Sequence, residues 1–253
     1  MKSEKLKIVN THLNFPKVTL KSPLNTGFII IAAEIDKKNS FFGGSKTKKL
    51  LLKDVKLLLK KFKNHTNIIE CAIFKAVLFP PGRNGEYFKK INQENIIHTK
   101  FDVVLQIETS SPNNINRIKK NNIFRKIENL FKNLSSFHYI FNAKNSRRIG
   151  SVNHKKKGIF LFNFFIAENV STNLNIWEYT AGWFQYHTKL DNSTLFESID
   201  SFKGTYSIIN HCRWNSFINI LPSLIFKKTF KTFVLQNFEA NNVSAIPILY
   251  KLA

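Results

Sequence analysis

Residues 158–167 read GIFLFNFFIA, residues 176–196 read IWEYTAGWFQYHTKLDNSTLF, and residues 206–214 read YSIINHCRW. The first stretch is a continuous apolar run, the pattern of a strand buried on both faces. The second opens as a helix that Ser171 or Thr172 would cap and that ends near Lys189. Asp191 and Asn192 then suit a turn, and residues 193–199 form a short strand. The third stretch, from Thr205, is another strand. A helical region follows from Asn215 or Ser216 to about Asn237, interrupted near Pro222, and residues 243–252 end the chain as an apolar strand. Such a strand needs a partner on each side. The order strand–helix–strand–strand–helix–strand is the ferredoxin-like unit.

The same order occurs upstream. Residues 27–35 (GFIIIAAEI) read as a buried strand and residues 45–62 as a helix. In that helix Leu51, Val55, Leu58 and Phe62 recur at three- and four-residue steps, with lysines opposite. Residues 67–79 make a second strand, closed by Pro80-Pro81-Gly82, and residues 85–95 a polar loop. Residues 101–109 (FDVVLQIET) make a third strand. A helix with a serine cap at Ser110-Ser111-Pro112 runs to about Leu134, and residues 137–142 form the fourth strand. The expected fold is α+β: two tandem ferredoxin-like βαββαβ repeats packing their antiparallel sheets into an α/β barrel, without a second subunit to close it. The expected organisation is an N-terminal arm (residues 1–24), a first repeat (25–150), a basic linker (151–157) and a second repeat (158–253).

Of the 253 residues 43% are hydrophobic, enough for a packed core. No apolar run approaches the roughly 20 residues that span a bilayer, and the basic N-terminus lacks the apolar stretch of a signal peptide. Two cysteines, Cys71 and Cys212, form no CxxC pair, which argues against a disulfide framework or structural zinc. The expectation is a cytoplasmic protein, a monomer or homodimer, with no membrane partner. The net charge is +23. Residues 1–150 hold 29 Lys+Arg against 10 Asp+Glu, and the remainder 10 against 6. A basic face would attract nucleic acid or an anionic substrate. The richness in Lys, Asn, Ile and Phe together equally fits A/T-rich coding, and that reading is preferred, so nucleic acid is not the expected partner.

Residues 160–214, with Trp177 to Trp183 on the first helix and Tyr206 to Trp214 on the third strand, resemble the dimeric α/β-barrel superfamily, to which antibiotic-biosynthesis monooxygenases belong. The whole chain is similar to tandem forms of that barrel. The resemblance implies a small-molecule enzyme, but the superfamily hosts oxidations, decarboxylations, dehydrations and haem chemistry, so it names no single reaction. Its cofactor-free haem-degrading branch uses an Asn–Trp–His set with the His on the second helix. Asn163 and Trp214 fill two of those places. Residues 215–237 contain no histidine, and the correspondence stops there.

The candidate residues lie on the second repeat. On strand 205–214, Asn210, Cys212 and Trp214 share one face, and His211 and Arg213 the other. His211 could move a proton near neutral pH, and Arg213 could hold an anionic group. Asn163 interrupts an apolar strand and could orient a carbonyl or dioxygen. These three are the catalytic candidates. Trp183, His187, Asn210 and Trp214 are the substrate-binding candidates, and His187 is the candidate haem ligand. The bland reading gives hydrogen-bonded core amides, a solvent-facing His211–Arg213 pair and a helix-end His187. Glu34 and Glu108 are expected at equivalent ends of parallel neighbouring strands. Arg147, Arg148, His154 and Lys155 to Lys157 concentrate charge in the joint between repeats.

The reading these residues favour is a monooxygenase-like enzyme without a metal, acting on an apolar aromatic or polyketide-like compound. The alternatives are a haem protein using His187, or a non-catalytic module that binds a ligand or nucleic acid.

Overall fold

Eight antiparallel strands close into one barrel in the computed structural model, which describes residues 6–36, 44–62, 65–80, 85–94, 97–200 and 205–253. The first repeat contributes β1 (Gly27–Glu34), α1 (Lys46–Phe62), β2 (Ile68–Leu78), α2 (Glu86–Glu94), β3 (Val103–Thr109), α3 (Ile115–Lys119), α4 (Asn122–Leu134) and β4 (Phe137–Gly150). The second contributes β5 (Ile159–Ala167), α5 (Val170–Thr188), β6 (Ser193–Ser198), β7 (Ile208–Trp214), α6 (Leu221–Phe226), α7 (Gln236–Ala240) and β8 (Val243–Leu252). Around the barrel the strands run β1-β3-β2-β8-β5-β7-β6-β4. Each repeat keeps its own four-stranded ferredoxin-like sheet, and the pairs β2–β8 and β4–β6 join the two sheets into a ring.

Strand alternation explains the continuous apolar runs. Phe160, Phe162, Phe164 and Ile166 of β5 point into the barrel, while Ile159, Leu161, Phe165 and Ala167 point at the helices of the second repeat. In β1, Phe28, Ile30 and Ala32 point inward, and Ile29, Ile31 and Ala33 lie under α1 and α4. Side chains fill the barrel, so its interior is a core and not a channel. Phe88 and Ile91 of α2, with Phe101, pack against that core. Tyr206 donates its hydroxyl hydrogen to the His98 carbonyl oxygen at 2.5 Å.

Several local expectations change. The expected polar loop at residues 85–95 holds α2 instead, because Tyr87 and Phe88 supply a buried edge and Tyr87 N–H donates to Glu239 Oε1 at 2.8 Å. The expected helix from Ser110 is broken. A 3-10 turn leads into α3, and α4 restarts at Asn121, whose side chain accepts from Ile123 N–H at 2.8 Å. Ser111 makes no side-chain cap. β4 runs to Gly150 rather than Asn142, because its second half pairs with β6. Asn169, not Ser171 or Thr172, caps α5. Beyond β7 the helical region is divided into a 3-10 turn, α6, a π-helical stretch (Phe230–Leu235) and α7. Pro81 and Gly82 of the expected turn lie outside the described residues.

Residues 6–26 form no regular element, yet they are anchored. Leu6, Ile8, Leu13, Phe15, Val18 and Leu20 pack on the helices of the second repeat. Asn237 accepts from Val9 N–H and donates to the Val9 carbonyl, and Asn241 treats Lys7 in the same way.

Candidate functional site

The outer face of β5 and β7 meets α5 across a cavity of about 40 Å³. Asn163 on β5 and Asn210, Cys212 and Trp214 on β7 form its sheet wall. Asn163 and Asn210 are direct cross-strand partners, which is why the pleat delivers both amides to the same side. Trp177, Ala181 and Phe184 of α5 and Phe238 of α7 close the opposite wall. Most polar groups here are satisfied. Asn210 Oδ1 accepts from Ser193 Oγ at 2.5 Å, and Trp214 Nε1 donates to Thr188 Oγ1 at 3.0 Å. Thr180 Oγ1 donates back to the Ile176 carbonyl at 2.9 Å. Asn163 Oδ1 is buried without a hydrogen-bond partner. Burial holds the Cys212 thiol well above its ordinary range, so it stays protonated.

The opposite face of β7 carries a second polar cluster. His211 is wholly buried against Phe160 and Phe162, at ring-centroid distances of 5.9 and 4.0 Å. Its Nδ1 lies 2.9 Å from the Leu161 carbonyl oxygen, which only accepts, so Nδ1 carries the hydrogen. Burial, and then the neighbouring His154, push its pKa well down, so the ring is neutral and Nε2 is an acceptor. His154 Nε2 stands 2.8 Å away and is therefore the donor. His154 Nδ1 in turn lies 2.7 Å from Glu70 Oε2, a contact that requires one proton. The result is a line Glu70–His154–His211–Leu161 that ties β2, the joint and β7 together. Glu108, opposite Glu70 on β3, has its carboxyl pushed up by burial, with Glu70 adding to the rise and Thr26 and His154 opposing it.

The sequence candidates are thus divided. Asn163, Asn210 and Trp214 share the cavity wall. His211 lies on the other side of the sheet, so it and Asn163 cannot act on one bound molecule. Arg213 sits at the strand end, where it donates to the Lys156 and Lys157 carbonyls and to Asn215 Oδ1. Trp183 is fully buried away from the cavity, and its Nε1 donates to Thr229 Oγ1 at 3.0 Å. His187 packs against Phe15, Trp183 and Tyr186. β1 and β3 are antiparallel, which puts Glu34 and Glu108 at opposite ends: Phe28, not Glu34, faces Glu108. Glu34 instead accepts from Lys100 N–H and contacts His98. Arg147 is engaged by Glu178 and Asn175, and Arg148 by the Ser22 carbonyl. Glu70 and His154 were not singled out as partners. The available signal was one carboxylate in the apolar strand 67–79 and one histidine in a lysine run.

No protein-family model matches the sequence, and no curated protein does. Solved structures match throughout. An anthrone oxidase-like protein superposes with a TM-score of 0.63 at 7% identity, covering 90% of this chain and 92% of that one. A dye-decolorizing peroxidase from Bacteroides thetaiotaomicron gives 0.52 at 10% identity, covering 94% and 96%. A mutant chlorite dismutase from Candidatus Nitrospira defluvii gives 0.50 at 7%, covering 92% and 93%. With the closed barrel, these likenesses establish the fold: the chain has the ferredoxin-like α/β-barrel fold, with the barrel closed within one chain. Among the described residues, no helix is long and apolar enough to cross a membrane.

Haem, the cofactor allowed by the resemblance, does not fit this space. No histidine lines the cavity to ligate a haem iron. Its one thiol is held protonated. His187 packs elsewhere.

Proposed function

We propose that the chain is a monooxygenase-like small-molecule enzyme acting, without a metal, in the space between β5, β7 and α5. Its substrate is an apolar aromatic compound bearing a phenol or enol. The observation that carries this reading is Asn163 Oδ1, buried without a partner on the cavity wall. An unsatisfied buried carbonyl oxygen costs about 1–3 kcal/mol, and a guest O–H or N–H removes that cost. The cavity walls offer no carboxylate, histidine or lysine as a base. The amides orient, and the substrate is one acidic enough to lose its own C–H proton to water. The carbanion then reduces dioxygen. A hydroperoxide forms at that carbon and collapses to a ketone and water, so one methylene and one O₂ give one C=O and one H₂O.

The anthrone oxidase-like neighbour suggests anthrone as the probe, since its central methylene has this chemistry. A tricyclic ring requires α5 to move away from the sheet, because the closed cavity holds only a water-sized group. Oxygen uptake with anthrone is expected to exceed the buffer rate at least about tenfold and to fall about tenfold in Asn163→Leu. Equal uptake with and without protein would reject the reading. The tight packing favours a second reading, a non-catalytic module. That reading predicts oxygen uptake no faster than in buffer alone, from a folded protein.

A further inference from the structure

The net charge of +23 is not spread evenly over the fold. α1 exposes Lys46, Lys49, Lys53, Lys56, Lys60 and Lys61. Beside it, α3, α4 and the two residues between them expose Arg117, Lys120, Arg125, Lys126 and Lys132. α1 packs directly against α4, so the two sets of cations lie on the outside of the first repeat, flanking a groove lined by Asp54, Leu57, Leu58, Lys126, Asn129, Leu130 and Asn133. Asp54 and Glu128 are the only acids on these helices. Among the described residues, none of the eleven exposed cations makes an ion pair. The one buried lysine of α1, Lys48, is committed to Asp102 at 3.0 Å.

The other helix layer is different. It carries fewer exposed cations: Lys189 at the end of α5, and Lys227, Lys228 and Lys231 between α6 and α7, while α5 itself, with only Ser171 and Tyr186 exposed, has no lysine or arginine. Eleven exposed cations on one helix layer against four on the other is the asymmetry that points to a partner.

We infer that the α1–α3–α4 face binds the phosphate backbone of a nucleic-acid duplex. The row from Lys46 to Lys61 spans about 22 Å at 1.5 Å per residue. That length suits a linear polyanion carrying one charge per roughly 1.7 Å better than it suits a small anion. Asn116, Asn122, Asn129 and Asn133 are exposed on the same helices and add neutral donors for phosphate oxygens. Exposed aromatic rings, the stacking platform for single strands, are missing from this face: the exposed ones among the described residues are Tyr186 and Phe226, both in the second repeat. Recognition is therefore of the duplex backbone and indifferent to sequence. The inference stands apart from the cavity reading, since the two sites lie on different repeats.

The test is fluorescence anisotropy of the full chain with a labelled 20-base-pair DNA, the same duplex as RNA, and a 20-nucleotide single strand. Vesicles containing phosphatidylserine serve as the competing anionic surface. With about five phosphates engaged, duplex affinity should fall several-hundredfold between 50 and 200 mM salt. Lys53→Glu/Lys56→Glu/Lys60→Glu should weaken binding at least about thirtyfold at low salt and flatten the salt slope. The control Lys227→Glu/Lys228→Glu/Lys231→Glu makes the same change in net charge on exposed residues of the second repeat, and should cost less than about threefold. A preference between RNA and DNA would identify the source of the duplex. Absence of duplex binding at low salt, equal loss in both triple variants, or tighter binding to the single strand or the vesicles would overturn the inference.

Discussion

His211 makes stability depend on pH in a direction its surroundings fix. Its imidazole is neutral in the folded barrel, whereas in the unfolded chain it titrates near 6.5. Below that pH the unfolded chain takes up a proton that the folded one refuses. The stabilising contribution is complete above about 6.5 and is lost as pH falls, by up to about 1.4 kcal/mol per unit. Glu108 acts in the opposite sense, because its folded carboxyl keeps its proton above the ordinary 4.5 and its contribution fades as pH rises past that value. His154 faces both groups, and Glu70 faces Glu108 and touches His154. Replacing His211 by Phe, a ring suited to its aromatic surroundings, isolates the first effect. The urea-unfolding advantage of wild type over His211→Phe should shrink by about 1 kcal/mol or more from pH 7.5 to 5.5. Parallel profiles would refute it. The sequence showed which polar residues of β7 share a face. It did not show which face looks into the barrel, nor that Glu70 meets His154 and His154 meets His211, because those contacts span 84 and 57 positions.

The arm and α5 form a unit whose contact turns on one residue. A Cβ placed on Gly182 would lie 1.8 Å from the Pro16 carbonyl oxygen, so only glycine lets the chain cross the helix there. Gly182→Ala should release the arm and cost about 1–3 kcal/mol by overpacking. Limited proteolysis is the check: cleavage within residues 6–24 should rise sharply while the barrel stays intact. Unchanged protection would mean that the arm's other contacts, its apolar packing and its bonds to Asn237 and Asn241, suffice to hold it. Strands and long helices were legible because their apolar residues repeat at the period of the element. α2 was hidden because nine mostly polar residues offer only Tyr87, Phe88 and Ile91 to a core that comes from other elements. The extra length of β4 was hidden because Lys144 to Arg148 look like a surface run until β6 pairs with them.

The ring of eight strands places two distinct faces on one molecule. The pairs β2–β8 and β4–β6 join the repeats, so the barrel is complete within the chain. The tandem barrel could be read from the repeated element order and the resemblance of the second half. The division of labour could not, since it depends on which residues each layer exposes. The first repeat turns a lysine-covered helix layer outward. The second encloses the cavity in which Asn163 Oδ1 stands without a hydrogen-bond partner. The central claim is that this amide serves a ligand and not the fold, and Trp177 and Trp214 on the cavity walls report on it directly. Tryptophan fluorescence during titration with anthrone, for wild type and Asn163→Leu, is the decisive measurement. A ligand held by Asn163 gives saturable quenching in wild type and none in a variant that is no less stable. Equal quenching in both, or a variant destabilised by several kcal/mol, would contradict it and return Asn163 to the core.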